Sequence, residues 1–133
     1  MIQRTFEINK INLNKYNFYL FYGENEGYKN EIIKNKFEKL YPNKVSRYDE
    51  KEILEKKGEF FYSILTKSFF ENEKLIIISR ATDKIKDIIE EIFLKKIDDI
   101  KIILSASILE KKSKLRNFFE KNKDTIKKFI FLF

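Results

Sequence analysis

The sequence predicts an α/β domain: a five-stranded parallel sheet with helices on both faces. Three observations carry this. Short unbroken apolar runs recur at Phe18 to Tyr22, Leu75 to Ile78 and Ile102 to Leu104. Such runs mark strands buried on both faces. Between them, apolar residues repeat at helical spacing. Strands that alternate with helices build parallel βαβ units with right-handed crossovers. A length of 133 residues suits one domain, and no internal repeat, linker or second core interrupts the pattern.

Met1 to Lys15 carries Phe6, Ile8, Ile11 and Leu13 in near-alternation, which reads as an edge strand or an extended arm. Phe18 to Tyr22 is the first core strand, and Gly23 breaks it. A helix follows, with Tyr28, Ile32, Ile33, Phe37 and Leu40 on one apolar face. Tyr41-Pro42-Asn43 stops it. Val45 to Tyr48 reads as a strand. Asp49 to Lys57 is charged, with Ile53 and Leu54 as anchors, and Gly58 separates it from a helix over Glu59 to Lys67 carrying Phe60, Phe61, Ile64 and Leu65. Ser68-Phe69-Phe70 closes that helix, and Glu71-Asn72-Glu73 turns toward the strand at Leu75 to Ile78.

Asp83 reads as the cap of the next helix, whose Ile85, Ile88, Ile89, Ile92 and Phe93 fit one face. Lys86 and Glu90 make an i,i+4 pair on its polar side. After the strand at Ile102 to Leu104, a helix near Ser113 to Asn122 turns Leu115, Phe118 and Phe119 inward. Thr125 to Phe133 reads as a fifth strand, expected beside Phe18 to Tyr22 at the edge of the sheet.

The turn after the first core strand invites comparison with the phosphate loop GxxxxGK[ST]. Gly23 and Lys29 stand at the right separation, but Tyr28 replaces the second glycine and Asn30 the hydroxyl. That glycine lets the backbone wrap phosphates, and the hydroxyl holds Mg²⁺. A tyrosine there puts a ring where the loop must be bare. In P-loop ATPases an acidic residue also ends the third strand; here LIII runs into Ser79-Arg80-Ala81. The frame of a phosphate loop is present and its chemistry is missing at two independent places. The plainer alternative is a strand-to-helix turn with one glycine and a surface lysine.

Composition narrows the chemistry further. The chain has no Cys and no His, so it offers no disulfide, no thiolate metal site and no imidazole base. Its net charge is +7, mostly from lysines interspersed with acids, which reads as a compositional bias more than a nucleic-acid face. Asp98-Asp99 and Glu90-Glu91 fall on expected helix faces or loops and suggest solvation. The N-terminus lacks a signal-peptide pattern and no run approaches a membrane span, so a cytoplasmic protein without membrane contact is expected. Phe69 continues the stripe of Phe61 and Leu65; Phe70 falls off it. Two adjacent bulky residues at a helix end cannot both point inward, which makes the pair a candidate anchor for a partner's pocket.

Taken in order, LFYGENEGYKNEII, SFF before LIIISR, and ILEKKSKLRNFFEK resemble the N-terminal domain of the delta subunit of the bacterial DNA polymerase III clamp loader. The resemblance spans about nine-tenths of the chain. It implies an AAA+-like P-loop-type fold that has lost ATP binding, with no catalytic residue, cofactor or metal of its own. It implies a part in DNA replication: binding and opening the sliding clamp (the beta subunit) through an apolar pair after a serine, here Ser68, Phe69 and Phe70. The family more often has leucine where Phe69 stands. By the same resemblance, other loader subunits hydrolyse ATP, and DNA is contacted only indirectly. Delta subunits continue into lid and collar domains, and Lys127-Lys128 interrupts a strand that should be apolar, so a fragment is expected. Two alternatives stand beside this: an ATP-dependent enzyme with a divergent phosphate loop built on Gly23, Tyr28, Lys29 and Asn30, or a basic nucleic-acid-binding domain. The related delta-prime subunit usually carries a cysteine zinc site, which this chain lacks.

Overall fold

A computed structural model describes residues 3–4, 16–41, 45–70, 74–96, 100–123 and 125–130, with the backbone alone for 3–4, 65–70, 74 and 127–130. It is an α/β fold around one parallel sheet. The elements run β1 (Gln3–Arg4), β2 (Phe18–Tyr22), α1 (Glu26–Ile32), β3 (Val45–Asp49), α2 (Glu50–Glu55), α3 (Lys57–Phe70), β4 (Lys74–Ser79), α4 (Lys86–Leu94), β5 (Ile100–Ser105), α5 (Lys114–Lys121) and β6 (Lys127–Ile130). The sheet has six strands rather than the expected five, in the order β1-β6-β2-β5-β4-β3. Every pairing is parallel. The extra strand is the two-residue β1. It pairs Gln3 with Phe129 and Arg4 with Ile130, so β6 is covered on its outer side and is not the edge.

The strand order fixes which face each helix takes. The chain leaves β2, passes β5 and β4 to reach β3, then walks back through β4 and β5 to β6. Right-handed crossovers in opposite directions put helices on opposite faces. Accordingly α1 packs on one face, where Ile32, Ile33 and Phe37 cover Tyr19, Phe21, Leu75, Ile77 and Ile103. The other face carries α2 to α5, with Ile53, Phe60, Ile64, Ile89, Ile92, Leu115 and Phe119 over Leu20, Ile76, Ile78, Ile102 and Leu104. Alternate residues of one strand thus serve two cores. This is why β2, β4 and β5 need apolar runs rather than alternation.

Several expectations change in detail. The first helix winds more loosely after α1, as a π-helical stretch over Ile33–Phe37, then tightens into a 3₁₀ turn at Glu38–Leu40. That change of winding turns Leu40 out of the face, leaving it 56% exposed. Gly58 lies inside the first turn of α3, and the break falls at Lys56. α3 runs unbroken through Ser68, Phe69 and Phe70. Ile85, Ile88, Ile89 and Ile92 are buried as expected, and Lys86 reaches Glu90 at 3.0 Å. Thr82, not Asp83, caps the turn that leads into α4, accepting from the Lys84 amide at 3.2 Å. The expected turns at 42–44 and 71–73, Asp98-Asp99, most of the N-terminal arm and residues 131–133 lie outside the described residues. No helix among the described residues is long and apolar enough to cross a membrane.

Candidate functional site

In an open parallel sheet, ligands bind beyond the carboxyl ends of the strands, where the winding reverses. Here that place lies between β2, whose chain turns into α1, and β5, whose chain continues to the opposite face. A cleft of about 340 Å³ opens there, lined by Glu26 and Asn30 of α1, Ser79 to Thr82 after β4, and Ser105 to Ser107 after β5. Of the sequence-predicted phosphate-loop residues, Asn30 lines this cleft, and Gly23, Tyr28 and Lys29 are not among its lining residues.

Gly23 leaves β2 at φ 126°, a conformation open to glycine and strained for residues with a Cβ. This explains why the strand breaks there. Its amide donates to the Ser107 carbonyl at 2.9 Å, and the Ala106 amide donates to Phe21 at 2.8 Å. The connection after β5 is thereby tied across the end of β2. The helix begins at Glu26, with Asn25 as its cap. A phosphate loop would still be open at that point. The Glu26 amide donates to Glu24 at 2.9 Å and the Lys29 amide to the Asn25 carbonyl at 3.1 Å. The Tyr28 amide donates to the Asn25 side chain at 3.0 Å. The amides that would cradle a phosphate at these positions are engaged within the protein.

Lys29 departs most from expectation. The sequence reads it as a surface lysine in the plainer case; it is 0% exposed. Its ammonium donates to the Ala106 carbonyl and pairs with Glu26. Its aliphatic stem is buried with it. Tyr28 also differs: its ring packs partly buried against the Tyr19 and Phe21 cluster, away from the cleft. Asn30 lines the cleft and is exposed.

Arg80, where an acid would stand, follows β4 in a left-handed conformation with φ 56°. Its guanidinium grips Asp49 at the end of β3 with two hydrogen bonds, of 3.1 and 3.0 Å. Asp49 also begins α2 through a capping box with Glu52. The next residue, Glu50, is buried and accepts from the Thr82 amide at 2.7 Å and from the Thr82 hydroxyl at 2.8 and 3.0 Å. Asp83 accepts from the Ser113 hydroxyl at 2.6 Å and from the Leu115 amide at 3.0 Å, so it braces the start of α5, whose cap is Ser113. Burial alone would raise its pKa. Hydrogen bonds from Ser113 and from the Leu115 and Lys114 amides, with the Lys114 charge, bring it below the ordinary carboxylate value. These contacts chain the strand ends to one another.

Two buried tyrosines on β2 are also shifted. Burial raises the pKa of Tyr22, against the pull of Arg116, whose guanidinium lies 5.3 Å from the ring centre. Burial likewise raises Tyr19. Among the described residues, no group of three or more acidic, His or Cys side chains is arranged to hold a metal ion.

Ser68, Phe69 and Phe70 form the last turn of α3, at the opposite end of the sheet from the cleft, just before β4. The structure does not bring them together with the phosphate-loop residues. Sequence reasoning missed Glu50, Thr82 and Asp83 as the residues that tie the strand ends. The signal available was polar residues directly after each apolar run.

A comparison with protein-family models found no match to the chain, and a comparison with curated proteins found none either.

Proposed function

We propose that this chain is a non-catalytic, AAA+-like domain of the clamp-loader delta type. In this reading it binds a sliding clamp through the end of α3 and leaves nucleotide chemistry to partner subunits. The observation that carries the non-catalytic half is Lys29. The residue that would meet a nucleotide phosphate is wholly buried and spends its charge on Ala106 and Glu26. The engaged amides of Gly23, Glu26, Tyr28 and Lys29 and the Arg80–Asp49 pair point the same way. The strand order supports the AAA+-like reading, because the last strand lies beside the first core strand, as the resemblance implies.

The clamp-binding half rests on the sequence resemblance and on α3 reaching Phe70 as one helix. A helix end that carries two adjacent phenylalanines offers more apolar surface than one buried stripe absorbs. The partner it fits is an apolar pocket. In this reading the domain sits among other loader subunits, with DNA contacted only indirectly.

Two titrations test the reading. Calorimetry with ATP and Mg²⁺ is expected to give no saturable heat, and a micromolar dissociation constant would make the divergent-enzyme alternative the correct one. Titration with a purified bacterial sliding clamp is expected to saturate. Absence of clamp binding at high micromolar concentration would remove the clamp reading and leave only a degenerate α/β domain.

A further inference from the structure

A second surface, away from the switch-point cleft, is built for a ligand of different character. α4 and α5 lie side by side on one face of the sheet, and an open groove of about 380 Å³ runs between them. Its floor is aromatic. Phe93 and Phe118 meet edge to face at 5.5 Å, and Phe118 meets Phe119 likewise at 5.8 Å. Leu94 stands at the rim, 69% exposed. Lys86, Lys114 and Lys121 line the groove, with Glu90 as the acid among its lining residues.

The charges do not cancel. Lys86 holds Glu90 at 3.0 Å, and Lys114 acts on Asp83. Lys121 has no ion pair among the described residues. Lys95 and Lys96, both exposed, follow Leu94 directly. An apolar floor whose lining carries three lysines against one glutamate is net positive, and it is complementary to a segment that is acidic on its edges and apolar on one side.

We propose that this groove docks an acidic amphipathic segment of a partner protein, with an apolar anchor against Leu94 and Phe93 and carboxylates toward Lys121 and its neighbours. α4 has 9 residues, so the groove is roughly 13 Å long at about 1.5 Å per residue, which suits two to three helical turns. Single-stranded nucleic acid fits less well. The Phe118 ring is 6% exposed, already meets two rings edge to face, and has Lys86 5.8 Å from its centre, so it offers no free face for a base to stack on. A second copy of the chain fits less well still, since each copy carries a net charge of +7. This inference does not depend on the clamp reading.

The test uses a fluorescein-labelled helical peptide of about twelve residues, with glutamates on one face and leucine and phenylalanine on the other. Its binding is followed by anisotropy and by amide chemical shifts of the isotope-labelled chain. Saturable binding is expected, with shifts concentrated at residues 86–96 and 114–122. Leu94→Ser and Lys121→Gln are each expected to weaken it by roughly fivefold to tenfold. A polyglutamate peptide without apolar residues is expected to bind at least about tenfold more weakly. The proposal is overturned if the peptide fails to saturate, if its shifts fall outside those segments, or if both variants bind as the parent does. Tighter binding of labelled oligothymidylate than of the peptide also overturns it, because the groove is then a nucleic-acid site. The shift map is measured on the parent chain, so it decides the matter even if a variant folds poorly.

Discussion

Replacing Lys29 separates a buried strut from a phosphate ligand. In Lys29→Met the stem is kept and the charge removed. The Ala106 carbonyl then loses its charged donor, a bond worth about 1.5–3 kcal/mol. Part of this returns, because no ammonium has to be desolvated. Glu26 adds little to the loss: its side chain is 59% exposed and is rehydrated by water. The net expected cost is about 1–2 kcal/mol. For a domain of this size that lowers the melting temperature by roughly 3–10 °C. Lys29→Ala also empties the space held by the stem, and is expected to cost roughly 3–5 kcal/mol in all. The assay is urea unfolding and thermal melting of parent and both variants without nucleotide. If Lys29→Met matches or exceeds the parent in stability, the strut argument is wrong. A lysine held ready for a phosphate behaves in that way, since an unpaired cation facing an empty site contributes nothing to the unliganded fold.

Other substitutions test neighbouring parts of the argument. Gly23→Ala forces a Cβ into φ 126° and is expected to cost about 1–2 kcal/mol or more, whereas Gly27→Ala is expected to stabilise by about 0.4–1 kcal/mol. A Cβ at Gly27 meets nothing nearer than the Asn25 side chain at 3.9 Å; a loss of stability there would mean the loop is not the settled helix start described. Tyr22→Phe is expected to be neutral or stabilising by up to about 1 kcal/mol, because the buried Tyr22 hydroxyl has no hydrogen-bond partner among the described residues; a drop in urea midpoint would reveal a partner. Asp83 supplies the pH dependence. Its folded pKa is depressed, so its contribution is present above the ordinary carboxylate value of about 3.9 and is lost as pH falls toward the folded value. The stability gap between parent and Asp83→Asn is expected to narrow between about pH 5 and pH 2; a gap that stays constant over that range would show the carboxylate is not ionised in its bracing role.

The strands were legible because burial on both faces demands unbroken apolar runs, and β2, β4 and β5 show them at Phe18, Leu75 and Ile102 onward. α4 was legible because Ile85, Ile88, Ile89 and Ile92 obey one helical period. What periodicity could not show were partners distant in sequence. Asp83 precedes one helix and braces the start of another through Ser113, 30 residues later. Glu50 reads as one acid in a charged stretch, and only the pairing of β3 with β4 brings it to Thr82. Lys29 looked exposed because lysines on short helices usually are, and the carbonyl that buries it is 77 residues away. Lys101 is similar: it lies within β5 at 2% exposure, with its ammonium 2.7 Å from the Tyr16 carbonyl. Leu40 differs for a local reason: an ideal helical period places it on the apolar face, and the winding changes twice before it.

The proposal that the end of α3 grips a sliding clamp is tested by Phe70→Ala. Burying a phenylalanine contributes roughly 1.5–3 kcal/mol, so losing it from an interface should weaken binding by roughly 10- to 100-fold. The measurement is a clamp titration of parent and Phe70→Ala, with a thermal melt of each. Saturable binding by the parent, the stated loss in the variant, and melting temperatures within about 2 °C of each other are expected. Equal clamp affinity of parent and variant, or a variant whose melting falls as a core phenylalanine's would, contradicts it.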